Sequence, residues 1–599
     1  MNLGLSTKRN WQTKGTSVIQ GIKSNRKTLM KECLSFDLGA LVFSLLSTIL
    51  LLLATCIYIG LSFYHLNGAN IYSWINGSTV VVLGIGAIVL FCLLYLFASL
   101  LFNAISTSVS TNDKAKTHLS LRDSLKKYFV PLFIILFVCW IPWIIAHYPG
   151  SLDQDTIWQV LIWRTQPEWY DHHPWITTAL FGSVFDLGSN LGSQGIALFL
   201  YTTIQAVLYS ALVSLSFCYV LRFSVPKVVW ILFFVAACIL PAYPSFASQM
   251  VKDSFFVLFW IPFMLFFIEG IRTRGECFKS ALPLVLFIAS IIVVILSNKK
   301  GIYLTLPAIL ILLVFVKPNT RIFCASALIV PFVAGLVWSN ILLPAWNVDK
   351  GPSKELYSLP LQQTANYVSQ YPDEVTQEEQ AIINEVLPYE NLASIYTLTS
   401  ADSVKDTFKN PDNSTIVSYF GTWINMGFKH PDAYLTSLMG TNYNLFTPVV
   451  PFQLKENLNQ DWVNEQVAFF SQFLSNNITP EEAQTRNAKT AEGLAELHIF
   501  EPIRSILYTY EKILNYTPLR FVNSPSFFAF YLPLLMICFA ISKKAKGTQK
   551  EMLLALIPSL LIIVSIILGP LVLSRYCIAG LFTAILIASL PWILKRAKS

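Results

Sequence analysis

Uninterrupted apolar blocks restrict most strongly what this chain can fold into. Residues 41–61 and 559–573 contain no charged side chain, and several other blocks are almost as apolar. A helix of about 20 apolar residues matches the thickness of a bilayer. Charged residues make up only 13% of the chain, against about 25% in soluble domains. The sequence therefore predicts an all-α polytopic membrane protein that crosses the cell membrane many times.

About twelve membrane-spanning helices are predicted. The expected spans are 36–64, 77–107, 127–147, 195–221, 226–243, 253–271, 281–297, 302–316, 320–344, 524–542, 550–573 and 575–594. Basic residues accumulate on the cytoplasmic side of membrane proteins, and 26 of the 42 Lys and Arg lie there if both termini are cytoplasmic. This orientation requires that the apolar segment 175–187 lies on the membrane surface and does not cross it.

Five regions follow from this pattern. They are a basic cytoplasmic tail at 1–35, two transmembrane helices at 36–126, a transmembrane core at 127–344 with its first external loop at 148–194, an extracytoplasmic domain at 345–523, and three transmembrane helices at 524–599. The extracytoplasmic domain is predicted to be folded and mainly helical, with helical patterns at 376–386 and 480–496. It carries 21 Asp and Glu against 11 Lys and Arg, so its net charge is −10.

Polar residues of the first external loop are candidates for chemistry. Asp155 is placed to cap a helix that starts at Thr156, and Asp153 fits a solvated loop residue. A carboxylate at a membrane interface can instead act as a general base toward a sugar hydroxyl. Later in the loop, the run Asp171-His172-His173 suggests a metal site. Adjacent histidines rarely bind one ion, so a hydrogen-bonding role for His173 is favoured.

Cations on the external face break the positive-inside pattern. Lys252 precedes Asp253 at the start of a span, and the two either neutralise each other or bind an anion and orient substrate. Lys299 and Lys300 either extend toward lipid headgroups or neutralise a lipid phosphate. Arg575, next to Tyr576, is a further external cation. Charged groups at membrane depth are functional candidates, and all of these groups fall on one predicted face.

The arrangement resembles the GT-C class of membrane glycosyltransferases, in which an acidic residue opens the first external loop and a juxtamembrane helix follows. A closer similarity is to a largely uncharacterised family of polytopic proteins from Gram-positive bacteria. The matching residues, in that family's order, are Pro149-Gly150, Asp155, Gln159, His172-His173-Pro174 and Lys252-Asp253. Where that family has Arg-Asn-Asn-Gly, this chain has Asn298-Lys299-Lys300-Gly301.

The resemblance implies a GT-C-like core, a Gram-positive source and a reaction. A polyprenyl-phosphate-linked sugar would donate its glycosyl group to a cell-envelope glycan or glycopolymer on the external face. Asp155 would take the acceptor proton, with Asp153 as the reserve base. The substrate-binding candidates are Gln159, His172, His173, Lys252, Asp253, Lys299, Lys300, Arg575 and Tyr576. No cofactor is identified, a divalent cation stays open, and no nucleic-acid partner is expected.

Two other functions remain open from the sequence. A transporter or flippase for lipid-linked glycans would need charged groups along a path through the bilayer. The expected spans hold almost none apart from Glu269, which lies near a cytoplasmic end. A polysaccharide polymerase or ligase that uses a lipid-diphosphate donor would need similar external cations. The sequence contains no glycine-rich nucleotide-binding loop, so a cytoplasmic nucleotide-dependent mechanism lacks support.

Overall fold

The computed structural model describes residues 36–67, 72–111, 119–164, 169–351, 354–452, 460–474 and 498–595, together with residues 479, 485, 488, 490 and 494. The basic tail 1–35 lies outside the described residues. The fold is all-α, as predicted. Its strands are two very short parallel pairs, Ser151–Leu152 with Gln249–Met250 and Trp169–Asp171 with Val348–Lys350.

Within the described residues, six helices are long and apolar enough to cross a membrane: Leu38–Leu61, Gly77–Ser110, Leu121–Ala146, Gln194–Phe223, Lys252–Thr273 and Pro318–Ala345. One bent pair, Gln549–Ala555 and Ile557–Ile567, has the same character. Five apolar helices are shorter: Lys227–Ile239, Ala281–Ser297, Gly301–Phe315, Phe527–Ile541 and Ser574–Ala588. Each expected span therefore contains an apolar helix, but a count of twelve spans stays a prediction.

The helix Lys252–Thr273 lies at the centre of this assembly, with more of its apolar stretch buried than in any other long helix. It packs against Ala281–Ser297, Gln194–Val220 and Ile578–Ala588. By contrast, Gly77–Thr111 turns most of its side chains outward. The N-terminal ends of Lys252–Thr273 and Ile578–Ala588 meet in the interior, and this arrangement positions the site described below.

The segment expected to lie on the membrane surface forms the helix Trp175–Leu191. It ends at Gly192, whose φ of +74° suits glycine, and Ser193 N–H closes the turn on Gly188 O at 2.9 Å. Phe181 and Phe185 are buried in a small core shared with Gln154–Arg164 and Gln194–Val220. The helix is confirmed, and its place on a membrane surface stays a prediction.

The polar stretch contains several helices. The main ones are Ser358–Gln370, Gln377–Val386, Asn413–Lys429, Pro431–Phe446, Gln460–Leu474 and Glu501–Tyr516. Thr376 and Glu379 form a capping box that starts the predicted helix at 376–386, whereas most of 480–496 lies outside the described residues. Leu361, Tyr367 and Ile383 belong to a core of their own. Gln460–Leu474 instead packs on Gln154–Arg164, so these segments do not share one core.

Candidate functional site

Two loops that are distant in sequence are joined at the start of the site. Ser151 and Leu152 pair in parallel with Gln249 and Met250. Thr156 Oγ1 also donates a hydrogen bond to the Met250 carbonyl at 2.6 Å. The residues that follow each short strand, Asp153 and Asp155 on one side and Lys252 and Asp253 on the other, are therefore brought together.

Five charged side chains form one ion cluster, made of Asp153, Asp155, Lys252, Asp253 and Arg575. The Asp155 carboxylate lies 2.9 Å from Lys252 Nζ and 2.9 Å from Arg575 Nη2. Arg575 Nη1 pairs with Asp153, and its Nε lies 3.5 Å from Asp253. One guanidinium thus contacts three carboxylates, which opposes their mutual repulsion. Five of the sequence-predicted positions therefore meet, although Asp155 and Arg575 are 420 residues apart.

The ion cluster has a buried side and an accessible side. The side chains of Arg575, Asp153 and Asp253 are 5–7% exposed. Asp155 and Lys252 are 16% and 17% exposed. A ligand that approaches the cluster therefore meets the Asp155–Lys252 pair first, with Arg575 behind it.

The charge state of Asp155 follows from its neighbours. Burial alone would raise its pKa, but Lys252 and then Arg575 outweigh burial and hold the pKa well below its usual range. Asp155 is therefore an ionised carboxylate in this arrangement. Its basicity depends on whether the two cations remain paired with it.

His173 supports Lys252 from the other side. Lys252 Nζ lies 2.8 Å from His173 Nδ1, and because an ammonium group only donates, Nδ1 is the acceptor. Burial, followed by the charge of Lys252, lowers the pKa of His173 well below its usual value. His173 is thus a neutral ring with its proton on Nε2 and holds Lys252 toward Asp155. The hydrogen-bonding role expected for His173 is observed.

Lys299 and Lys300 lie beside the ion cluster but are held by other partners. Lys299 Nζ donates to the Asp171 carbonyl and lies 3.7 Å from the Asp171 carboxylate. Lys300 Nζ donates to the Ser565 carbonyl at 3.0 Å and lies 5.6 Å from the centre of the Tyr576 ring. Both ammonium groups therefore have partners within the protein, and the two alternatives from the sequence, lipid headgroups or a lipid phosphate, stay predictions.

The other binding candidates differ in position. Gln159 is fully buried and donates to Thr177 and Thr178 at 2.8 and 3.1 Å, so it ties two helices together one turn after Asp155. The rings of His172 and His173 lie 4.6 Å apart. Tyr576 lies between the cations of Lys300 and Arg575, whose guanidinium carbon is 5.4 Å from its ring centre.

Two local expectations are wrong. The first helix of the loop begins at Gln154, not Thr156, so Asp155 lies inside the first turn. Asp153 precedes the helix and its carboxylate accepts the Asp155 N–H at 3.3 Å, which gives the capping role to Asp153. Lys252 and Asp253 also do not neutralise each other, because Lys252 pairs with Asp155 and Asp253 with Arg575.

No group of three or more His, Cys, Asp or Glu side chains suited to a metal ion occurs in the described part of the chain. The carboxylates of Asp153, Asp155 and Asp253 do converge, but they converge on the Arg575 guanidinium, which occupies the position that a cation would take.

Supporting residues were missed because their contacts carry no sequence signal. Gln205 Nε2 donates to the carbonyls of Ala247 and Gln249 at 2.9 Å, and Tyr209 OH donates to the Ser254 carbonyl at 2.5 Å. These bonds fix the turn that precedes and includes Lys252. Gln205 is a polar residue in an apolar helix, which suggests a buried hydrogen bond, but the sequence did not indicate its partner.

Comparison with known proteins gives one match. A family described as a family of unknown function, DUF6020, matches residues 161–598, which include His173, Lys252 and Arg575 but begin after Asp155. No curated protein and no solved structure shows significant similarity to the chain.

Proposed function

Because the chain belongs to DUF6020, a family whose function is unknown, we propose its function from the geometry of its own residues. The protein is a multi-pass membrane glycosyltransferase with a GT-C-like core and about twelve spans. It moves a sugar from a polyprenyl-phosphate donor to a cell-envelope glycan acceptor outside the cell. The ion cluster is the observation that carries the proposal.

The sidedness of the cluster supports an enzyme at the external interface. Lys252 begins one candidate span, and Arg575 is the second residue of the shorter apolar helix Ser574–Ala588. The charge pattern of the sequence assigns both of these ends to the external side. A lipid-linked phosphate at headgroup depth and a water-soluble acceptor could therefore both reach Asp155. A transporter would instead require charged groups along the middle of the spans.

The proposed reaction transfers one glycosyl group and one proton. The acceptor hydroxyl oxygen attacks the anomeric carbon, the bond from that carbon to the phosphate oxygen breaks, and the polyprenyl phosphate leaves with the electron pair. Asp155 accepts the hydroxyl proton as general base. Atoms and charge balance because the proton lost by the acceptor resides on Asp155.

The two cations lower the basicity of Asp155, but they become available to the leaving phosphate as the proton moves onto Asp155. Before reaction, Lys252 and Arg575 both bind the Asp155 carboxylate. When Asp155 takes the proton it loses its charge, and the two cations can stabilise the charge that develops on the phosphate. Interactions that strengthen as the bond breaks lower the barrier to reaction. Asp153 and Asp253 remain on Arg575 and keep its guanidinium in place.

The experiment that tests this proposal combines genetics with reconstitution. Chromosomal deletion followed by linkage analysis of the wall glycans should reveal a missing sugar branch. Purified protein in liposomes should then transfer labelled sugar from a polyprenyl-monophosphate donor to glycan from the deletion strain. Intact glycans with no transfer would refute the proposal. Transfer from a diphosphate donor alone would favour the polymerase or ligase, and movement of unchanged donor across the bilayer would favour the flippase.

A further inference from the structure

The helix Glu501–Tyr516 has a protein-facing side that fixes its position. Tyr510 OH donates to the Ile239 carbonyl at 2.8 Å, and the Tyr510 ring meets Trp143 edge-on at 6.5 Å. Ile239 ends the apolar helix Lys227–Ile239, and Trp143 lies near the end of Val130–Ala146. Because the helix Glu501–Tyr516 contacts both ends, it lies across two apolar helices on the side predicted to be external.

A second side of this helix is apolar and exposed. Ile506 is 69%, Ile513 59% and Tyr516 80% exposed, and Pro502 is exposed as well. Their spacing of four, seven and three residues places them on one stripe of an α-helix. The two helices that hold Glu501–Tyr516 also expose apolar side chains: Ile239, whose carbonyl accepts from Tyr510, is 41% exposed, and Val138 is 55% exposed.

A third side is polar. Glu501, Ser505 and Lys512 are exposed and follow a parallel line of four- and seven-residue spacing. Tyr508 joins this line and is 68% exposed. A helix with one side on protein, one apolar side and one polar side fits a boundary between apolar and aqueous phases.

We propose that Glu501–Tyr516 is an interfacial helix whose apolar stripe inserts into the headgroup and acyl boundary of the outer leaflet. The proposal rests on the membrane placement given above and is independent of glycosyl transfer. A lipid surface is favoured over a second copy of the chain because the helix is held at the ends of two apolar helices that themselves expose apolar side chains. The polar line beside it would then face water.

This helix also connects the membrane surface to the site. Phe500, which immediately precedes it, lies 6.0 Å from the Tyr148 ring. Tyr148 belongs to the segment that leads into the short strand before Asp153. Insertion of the helix would thus fix the depth at which the bilayer meets the loop that carries Asp153 and Asp155.

Spin-label accessibility tests the proposal on the full-length protein. Single cysteines at Ile506, Ile513, Ser505 and Lys512 are introduced into a variant without the ten native cysteines and reconstituted in phosphatidylglycerol–phosphatidylcholine nanodiscs. Labels at 506 and 513 should collide with oxygen more often than with a water-soluble nickel complex, and labels at 505 and 512 should show the reverse. Equal access of nickel to all four positions would overturn the proposal. Labels that are protected from both reagents and show dipolar coupling between two copies of the protein would also overturn it, because the stripe would then face a second copy.

A second measurement avoids removal of the native cysteines. Residues 345–523 contain no cysteine, so a single added cysteine can be followed above the wild-type background in intact cells. A membrane-impermeant maleimide should label Ser505→Cys at least tenfold faster than Ile506→Cys. Equal rates would overturn the interfacial placement, whether or not the protein transfers sugar.

Discussion

Replacement of Arg575 by Met removes the one group that contacts all three carboxylates of the ion cluster. Arg575 is 7% exposed, and it pairs with Asp153, Asp155 and Asp253. Without it, Lys252 is the remaining cation of the ion cluster and faces three carboxylates. Removal of one partner of a buried ion pair typically costs about 3–5 kcal/mol, because the remaining charge is buried and uncompensated. We expect Arg575→Met to lower the free energy of unfolding by about that amount.

Thermal unfolding in detergent measures this effect through the native cysteines. Cys218, Cys324 and Cys577 are buried, so a thiol-reactive dye reports their exposure on unfolding. Lys317→Met is the matched control, because Lys317 and Glu276 are 49% and 33% exposed and Glu276 keeps Lys279 as a second partner. An exposed ion pair contributes only about 0–1 kcal/mol, so this control should melt close to wild type.

A second substitution separates charge from packing. If uncompensated charge destabilises Arg575→Met, then adding Asp253→Asn removes one of the orphaned carboxylates and should restore part of the stability. Coupling between contacting residues is commonly about 0.5–3 kcal/mol. An Arg575→Met protein that melts like Lys317→Met, or a double variant that melts lower still, would refute the assigned role of Arg575.

Three further predictions concern donor binding, pH and topology. Lys252→Met should raise the donor KM about tenfold or more, since a charge-assisted hydrogen bond contributes about 1.5–3 kcal/mol; an unchanged KM at limiting donor would remove Lys252 from donor binding. Burial and Lys252 lower the pKa of His172 to about 4 and that of His173 well below its usual value. As the pH falls, these histidines therefore bind protons in the unfolded chain at a higher pH than in the folded protein. The free energy of unfolding should therefore be highest above about pH 6.5 and fall toward pH 4. The His172→Gln/His173→Gln variant should lose less of its free energy of unfolding over the same pH range. Cysteines at Asn298 and Ser400 should react with an external reagent and cysteines at Thr111 and Gly547 should not, whereas Ser151 is too buried to serve as a reporter. External labelling at Gly547 would exclude the twelve-span topology.

The sequence predicted which charged residues would share a region, because helix direction and the distribution of basic residues place loop ends on one side. It could not predict that Arg575 would contact three carboxylates. That contact depends on how helices far apart in the chain pack, and no local pattern encodes it. The neutral Lys252–Asp253 pair was a reasonable local alternative, but adjacent residues of a helix point in different directions.

Gln159 shows a different limit of sequence reasoning. Its position in the motif predicted substrate binding, which stays a prediction, and the sequence did not indicate that its amide would donate to Thr177 and Thr178. The short strand pairs were also absent from the prediction, since two residues are too few for an alternating pattern. Helices with long apolar runs were predictable because their burial in lipid or protein requires many residues in succession.

Sugar transfer by Asp155→Asn tests the central claim most directly. The substitution keeps the size of the side chain and removes its ability to accept the acceptor proton. Transfer from a polyprenyl-monophosphate donor should fall about a hundred- to ten-thousand-fold at a normal protein level. Asp153→Asn should lose less, because Asp153 caps the helix and faces Arg575 on the buried side. Near-wild-type transfer by Asp155→Asn would contradict the account.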